Sequence, residues 1–301
     1  MAVSPAVTTP RTVALAVISP VRDEAQHVRR TLDAMLSQTV RPQEWLFVDD
    51  GSSDDTRAII EGYAAQHPWI RVISRADRGQ RVLGGGVIEA FNTGLAALQN
   101  KNYQYLAKLD GDLSFTPRYL EIMFEAFAAD PKLACVCGKV FRPEGETLVE
   151  EYISDESTCG QFKLYRREAF EAIGGFVSAV LWDGIDWHRC RMLGWHTLSF
   201  HHPEARLFHH RLMGSSDRGV LRGRSRLGRA MWYVGYHPLY ALAASIFRMR
   251  ENPRLTGGLM MIGCYLAAAL SFKPRYPHPD FRRYLQRWQL MQLKARFLSR
   301  P

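Results

Sequence analysis

The regular alternation of strand-like and helix-like patterns constrains the fold of this chain more than any other feature. Strands are predicted at 13–19, 44–48, 70–74 and 103–109, and an amphipathic helical pattern follows each of them. A further strand is predicted over 133–141, and the acidic and polar residues 144–160 are expected to form a long loop. The alternation of strands and helices predicts βαβ units, an α/β fold and a mostly parallel sheet flanked by helices. Ligands bind at the carboxyl ends of the strands of such a sheet. The residues that directly follow the strands are therefore the candidates for a functional site.

Three of these strands end in polar segments of the kind that bind a charged ligand. They are Pro20-Val21-Arg22-Asp23-Glu24, Asp49-Asp50-Gly51-Ser52 and Asp110-Gly111-Asp112, and we expect them to converge on one crevice. The two carboxylates of the third segment are hard oxygen ligands suited to a divalent cation. The glycine between them allows close approach of the backbone to a ligand. A solvated turn is the alternative for this tripeptide taken alone, because Asp and Gly are common in turns.

Residues 13–211 resemble the family 2 glycosyltransferases, which have the GT-A fold. Four motifs match in order: residues 19–24 for PxYNE, with Arg22 and Asp23 replacing Tyr and Asn; residues 49–56 for DDGSxDDT; residues 110–112 for DxD; and residues 174–176 for GGF. The resemblance implies an inverting, metal-dependent transfer of a sugar from a nucleotide-diphosphate donor. UDP is favoured because it is the common donor among relatives.

The resemblance also implies roles for individual residues. Asp112 and Asp110 would hold Mg or Mn, with His209 or His210 as a third ligand from a late strand. Because side chains alternate along a strand, only one of these histidines can point inward, and His209 is favoured. Lys108, just before the acids, could contact a phosphate, but a solvated strand lysine is favoured. The nucleotide-binding residues implied are Pro20, Arg22, Glu24, Asp50, Ser52, Arg78, Gly79 and Asp110.

The catalytic base is implied by the spacing of a further motif. The family commonly has Glu-Asp, an Arg six residues after the Asp, and a Gly five residues after the Arg. Asp183, Arg189 and Gly194 reproduce these spacings, with Trp182 in place of the Glu. Asp183 is therefore favoured as the base that deprotonates the acceptor hydroxyl, and Asp186 is its rival.

The distribution of charge divides the chain near residue 212. Residues 213–301 contain 16 Lys and Arg against 3 Asp and Glu, whereas residues 1–212 contain 23 against 27. We predict a disordered lead-in over 1–12, a GT-A catalytic domain over 13–212 and a basic, apolar helical region over 213–301. The catalytic domain would consist of a nucleotide-binding half at 13–115 and an acceptor half at 116–212.

Two stretches without charged residues, 230–247 and 255–272, lie within the basic region. An interfacial or re-entrant segment on an anionic membrane surface is favoured, with a basic amphipathic helix following over 281–298. Packing against the catalytic domain or a second subunit, and a spanning hairpin, are the alternatives.

The five cysteines form no CxxC pair, which indicates a reducing compartment. We expect a peripheral or monotopic protein on the cytoplasmic face of a bacterial inner membrane.

Several functions compete with the main hypothesis, which is transfer to a glycan or lipid-linked acceptor in surface polysaccharide assembly. A polyprenyl-phosphate sugar synthase would share the same donor site and stays open. A sugar-nucleotide nucleotidyltransferase is disfavoured because residues 19–30 lack its Gly-rich loop. Nucleic acid is not expected as a partner, because long apolar stretches interrupt the basic tail. Intact Asp50, Asp112 and Asp183 argue against an inactive binding module.

Overall fold

The structure is a computed structural model that describes residues 10–76, 84–210 and 219–298. These residues divide into two compact units. The first holds the described residues of 1–178 and 193–211, and the second holds those of 179–192 and 212–301. The second unit thus includes a segment, 179–192, that lies inside the acceptor half predicted from the sequence.

The first unit is built from strands and helices that alternate over most of its length. Its strands are β1 Arg11–Val21, β2 Val40–Asp49, β3 Ile70–Ser74, β4 Tyr105–Leu109, β5 Leu113–Phe115, β6 Leu133–Gly138, β7 Val140–Glu144, β8 Thr147–Glu151, β9 Phe162–Arg166, β10 His196–Phe200 and β11 Leu207–His209. Its helices are α1 Val28–Leu36, α2 Thr56–Ala64, α3 Gly85–Ala97, α4 Tyr119–Ala129 and α5 Arg167–Ala172.

A seven-stranded sheet forms the centre of this unit, in the order β10-β6-β9-β4-β1-β2-β3. Strand β9 runs antiparallel to β4 and β6, and the other pairings are parallel. The central strands β1 and β2 end in runs of buried residues, as expected for strands covered on both faces. The predicted α/β fold with a mostly parallel sheet is therefore confirmed.

A smaller four-stranded sheet, in the order β5-β11-β7-β8, branches from the same unit. The sequence predicts one strand over 133–141, but the chain passes from β6 into β7 and so changes sheets there. The backbone is crowded at this point, since a Cβ at Gly138 would lie 1.9 Å from the carbonyl oxygen of Ala205. Strand β8 lies within 144–160, which we expected to be a loop, and that part of the prediction is wrong.

The second unit is helical. It contains α6 Trp182–Met192, α7 Val220–Val234, α8 Pro238–Arg248, α9 Thr256–Leu270 and α10 Pro279–Leu298. Met231, Ala241, Met261 and Tyr265 form a buried cluster among α7, α8 and α9. Among the residues in the three described ranges, no helix is both long and apolar enough to span a bilayer.

Candidate functional site

The carboxyl ends of β1 and β2 are joined by hydrogen bonds. The Asp50 N–H donates to the carbonyl oxygen of Val21 at 2.9 Å, and Nη1 of Arg22 donates to the carbonyl oxygen of Asp50 at 2.8 Å. Adjacent parallel pairing aligns Pro20 with Val48 and Val21 with Asp49. The first two polar segments predicted from the sequence therefore lie side by side.

Serine and aspartate side chains shape the turn that follows each of these strands. Asp23 has a left-handed backbone (φ 54°), which asparagine and aspartate tolerate better than most residues. Its N–H donates to Oγ of Ser52 at 3.0 Å, and its carboxylate accepts from the N–H of Ser53 at 2.8 Å. Oγ of Ser52 also donates to Asp49 at 2.5 Å. Ser52, predicted as a nucleotide contact, thus holds the two turns together.

Asp50 and Glu24 are both buried at this edge of the sheet. Oδ1 of Asp50 accepts a hydrogen bond from Nη1 of Arg75 at 2.9 Å, and this arginine follows β3 directly. The Glu24 N–H donates to Oγ1 of Thr56 at 2.7 Å, which ties β1 to the first turn of α2. The Asp50 carboxylate is therefore held by Arg75, and the backbone of Glu24 is held by Thr56.

The DxD segment lies against the end of β1. A Cβ at Gly111 would be 2.9 Å from Cγ1 of Val21 and 3.4 Å from Cγ of Glu24, so only glycine allows this approach. Parallel pairing of β4 with β1 brings the segments together. All three polar strand ends therefore meet at one edge of the sheet.

Lys108 is buried rather than solvated, so this prediction is wrong. Its side chain is 2% exposed, and Nζ contacts Oδ1 of Asp110 and donates to the carbonyl oxygen of Gly160 at 2.7 Å. Burial raises the pKa of Asp110, although the charge of Lys108 opposes this shift. The first aspartate of the motif is thus one member of an ion pair within the protein.

The second aspartate lies beside His209. Antiparallel pairing of β5 with β11 puts Leu113 opposite His209, and Asp112 precedes Leu113. Oδ2 of Asp112 is 3.5 Å from Nε2 of His209, and Oε1 of Glu151 is 3.1 Å from Nδ1 of the same ring. All three side chains are buried. Burial lowers the pKa of His209, but the hydrogen bonds to Asp112 and Glu151 outweigh it and raise that pKa to about 10.

His210 has a different environment. Its N–H donates to the carbonyl oxygen of Asp112 at 3.0 Å, and its Nε2 is 2.7 Å from Oγ of Ser114. Burial and the charges of Arg30 and His27 lower the pKa of His210. Of the two candidate histidines, His209 is the one whose ring contacts the DxD carboxylate.

The side chains at this edge suit a divalent cation by their chemistry. Asp112 offers carboxylate oxygen, the ligand type that suits Mn and Mg. His209 can offer imidazole nitrogen once its ring gives up the proton that its raised pKa retains, since a histidine binds metal in its neutral form. Within the described parts of the chain, no three His, Cys, Asp or Glu side chains form a complete metal site. A cation bound here would take its other ligands from outside the protein, as Mg does when substrate phosphates complete its shell.

Comparison with known proteins identifies the family. The model of glycosyl transferase family 2 matches residues 16–174, which cover β1 to α5 and both acidic motifs. The chain belongs to glycosyl transferase family 2.

Curated relatives of this family 2 chain include polysaccharide synthases. It is 26% identical over 172 residues to chondroitin synthase of Escherichia coli, which covers 54% of this chain and 24% of the relative. It is 30% identical over 116 residues to poly-beta-1,6-N-acetyl-D-glucosamine synthase of Staphylococcus epidermidis, which covers 38% of this chain and 26% of the relative. The chain thus spans about a quarter of the length of these relatives.

Solved structures share the fold. The mannosyltransferase PcManGT from Pyrobaculum calidifontis, in complex with GDP-Man and Mn2+, aligns with a TM-score of 0.55 at 16% identity, covering 98% of this chain and 91% of that one. Staphylococcus aureus TarS residues 1–349, in complex with UDP, aligns with a TM-score of 0.54 at 14% identity, covering 86% of this chain and 72% of that one. At these identities the likeness concerns the fold alone.

The two candidate bases of this family 2 protein lie on α6, in the second unit. Asp183 is in the first turn and is half-buried, whereas Asp186 is 1% exposed and accepts a hydrogen bond from the Trp187 N–H at 2.6 Å. Asp183 is therefore the more accessible of the two carboxylates.

The structure gives less information about three other predicted residues, Pro20, Arg78 and Gly79. Pro20 lies near the end of β1, beside Arg22 in sequence. Arg78 and Gly79 lie outside the described residues, so their predicted roles stay predictions. Reasoning from the sequence missed Glu151 and Arg75. For Arg75 the signal was its position directly after β3, whereas Glu151 lay in an acidic stretch that we expected to be a loop.

Proposed function

We propose that this chain transfers a sugar from a nucleoside-diphosphate donor, with UDP favoured, to an acceptor hydroxyl. One observation carries the proposal: the acids that follow β1, β2 and β4 meet at one sheet edge, where Asp112 also contacts His209. The PcManGT structure is a complex with GDP-Man and the TarS structure is a complex with UDP, which supports a nucleotide-sugar donor.

In this proposal the nucleotide occupies the crevice at the ends of β1 and β2. The carboxylates of Asp50 and Glu24 accept hydrogen bonds from the base and ribose, and Pro20 and Arg22 line the base pocket. The ion pair of Asp50 with Arg75 at 2.9 Å holds the Asp50 carboxylate in place. A residue that is already oriented loses less entropy when it binds a ligand.

Asp112 and His209 would hold a divalent cation, Mn or Mg. When bound, this ion would neutralise negative charge on the leaving diphosphate. Asp110 would contribute less directly, because its carboxylate already pairs with Lys108. The presence of Mn2+ in the PcManGT complex supports this part of the proposal.

We assign the role of general base to Asp183, from its motif spacing and its partly exposed position on α6. The acceptor oxygen attacks the anomeric carbon while its proton passes to the Asp183 carboxylate. The bond between the anomeric carbon and the diphosphate oxygen breaks, and the nucleoside diphosphate leaves with the electron pair. Attack from the face opposite the leaving group inverts the anomeric configuration.

The acceptor proposed is a glycan or lipid-linked sugar of a surface polysaccharide. The relatives named as chondroitin and poly-beta-1,6-N-acetyl-D-glucosamine synthases support this class of product. We further propose that the protein acts at the anionic cytoplasmic face of a bacterial membrane, bound through its second unit. Residues 213–301 contain 16 basic and 3 acidic residues, and this excess of positive charge supports the location.

Calorimetric titration tests the proposed donor site. UDP, GDP and dTDP are added to the wild-type protein with and without Mn, and to Asp112→Asn. We expect one nucleotide to bind with Mn present, and we expect Asp112→Asn to weaken that binding at least tenfold. Glu125→Gln, a change at an exposed carboxylate on α4, is the matched control and should bind as the wild type does. Mn-independent binding that is equal in all three proteins would contradict the proposal.

A further inference from the structure

Helices α8 and α9 form an antiparallel hairpin. Near one end, Oη of Tyr265 donates to the carbonyl oxygen of Tyr236 at 2.9 Å. Near the other end, a Cβ at Gly258 would lie 2.3 Å from the carbonyl oxygen of Ser245, so the two helices are in close contact there. The inner faces are buried at Ala241 and Ser245 on α8 and at Met261 and Tyr265 on α9.

The outer faces of both helices are apolar and exposed. We call this surface the outward hairpin face and define it by six residues: Leu239, Leu242, Ile246, Leu259, Leu266 and Leu270, each at least 44% exposed. On each helix these residues recur at helical spacing, so they form one stripe along the helix. The stripe lies about 100° around the helix axis from the residues that contact the other helix. Because the two helices are antiparallel and each stripe is displaced from the contact in the same sense around its own axis, both stripes lie on the same side of the hairpin.

Two further apolar residues flank α9 in unfavourable backbone conformations. Leu255 and Phe272 have φ values of 59° and 48°, where glycine or asparagine would be less strained. They are 63% and 91% exposed, so burial within the described chain does not offset this strain. These two side chains add exposed apolar surface at the two ends of α9.

The net charge around the outward hairpin face is positive. Arg250 and Arg254 are exposed at the turn between the helices, and Lys273 is exposed beyond the end of α9. Glu251 is the only acidic residue in 219–279, and it pairs with Arg224 and Arg248. This surface is therefore complementary to an anionic partner, whereas a second copy of the same face would be repelled.

We infer that the outward hairpin face inserts into the headgroup region of an anionic lipid bilayer, with its flanking arginines on lipid phosphates. The inference rests on the proposed membrane location and identifies the surface that makes the contact. A helix with one apolar face and basic flanks binds in this way, parallel to the membrane. The aliphatic side chains fit acyl chains, and the basic residues fit the negative surface potential of the cytoplasmic leaflet.

Vesicle flotation of the full chain tests the inference. The vesicles contain phosphatidylglycerol mixed with phosphatidylcholine, or phosphatidylcholine alone. The double variant Leu266→Glu/Leu270→Glu should bind the anionic vesicles at least about tenfold more weakly than the wild type. The control Leu290→Glu/Met291→Glu changes two exposed apolar residues of α10 and should bind as the wild type does.

Arg250→Gln and Arg254→Gln should each weaken binding to the anionic vesicles roughly fivefold. Arg287→Gln on α10 is the control for these two variants.

The outcomes separate the possible failures. Equal flotation of wild type and Leu266→Glu/Leu270→Glu would overturn the assignment of this surface while leaving the membrane location intact. If the wild type floats with neither lipid, the location and the surface both fall, and the nucleotide titration still tests the transferase independently. If sedimentation shows that Leu266→Glu/Leu270→Glu converts a dimer into a monomer without affecting flotation, the face binds a second copy and the inference is wrong. Circular dichroism of each variant verifies its fold.

Discussion

The carboxylate of Glu151 lies 3.1 Å from Nδ1 of His209, on the side of the ring opposite Asp112. Strand β8 delivers Glu151, β11 delivers His209, and β7 lies between them in the smaller sheet. A carboxylate bound to one ring nitrogen fixes the orientation of a histidine whose other nitrogen faces a metal. Nε2 of His209 is thereby directed toward Asp112.

We therefore predict that Glu151→Gln weakens Mn binding by about 10- to 100-fold, because the histidine loses the charge that orients it and increases its basicity. Titration of Mn by calorimetry or by electron paramagnetic resonance measures this without any assay of transfer. Glu151→Gln should also lower the melting temperature, because the buried, protonated His209 loses one of its two carboxylate partners, so Mn is titrated at a temperature where the variant is folded.

A matched control lies one residue away. Glu150 pairs with His201 at 2.8 Å, but this pair lies toward solvent and has no contact with Asp112 in the described structure. Glu150→Gln should bind Mn as the wild type does. If both substitutions change Mn affinity equally, Glu151 has no specific positioning role. If the wild type binds no Mn even with UDP present, the cation assignment itself is wrong.

Gly111→Ala should disrupt the site by steric overlap. The added methyl group would lie 2.9 Å from Cγ1 of Val21, so the DxD segment or the end of β1 must move. We expect a loss of about 1–3 kcal/mol in the free energy of unfolding, as for other overpacked sites, together with weaker nucleotide binding. Urea denaturation and calorimetry measure the two effects. At Gly62 on α2, no described atom outside the neighbouring residues and the local helix backbone lies within 4 Å of a new Cβ, so Gly62→Ala should instead stabilise the protein by about 0.5–1 kcal/mol.

The strands of the main sheet could be predicted because their buried sequences are apolar and separated by clear helical patterns. Strand β9 was missed because Lys163 and Arg166 interrupt its apolar residues, yet Lys163 is fully buried in the sheet. The change of sheet after Gly138 depends on the close approach of Ala205, which lies 67 residues later. A local pattern carries no information about such a contact.

The site could be predicted as a set of strand ends, but its internal pairing could not. Asp110 and Asp112 look alike in sequence, yet one pairs with Lys108 and the other with His209. The difference comes from the strands that flank them: β4 carries Lys108, and β5 pairs with β11. Glu151 is distant in sequence from both motifs, so only the register of the smaller sheet relates it to His209.

The buried ion pair of Lys108 and Asp110 predicts an asymmetric response to mutation. Asp110→Asn removes the charge beside a lysine that is only 2% exposed, and it should cost about 3 kcal/mol of stability, at the lower end for buried pairs because Asp110 is partly exposed. The double variant Lys108→Met/Asp110→Asn should recover part of this loss, since the buried charge is gone. Urea denaturation measures each protein. Glu61→Gln, which breaks an exposed pair with Arg57, should have no measurable effect.

Two glycines of α9 should respond to alanine with opposite signs. A Cβ at Gly258 would lie 2.3 Å from the carbonyl oxygen of Ser245, so Gly258→Ala must separate α8 from α9 at a cost of about 1–3 kcal/mol or more. At Gly263 in the same helix, no atom of the described residues beyond the adjacent residues and the local helix backbone lies within 4 Å of the new Cβ, so Gly263→Ala should stabilise the helix by roughly 0.5–1 kcal/mol. Thermal and urea denaturation distinguish the two variants. A loss of stability in Gly263→Ala as large as that in Gly258→Ala would mean that close packing of the hairpin is not what requires glycine at residue 258.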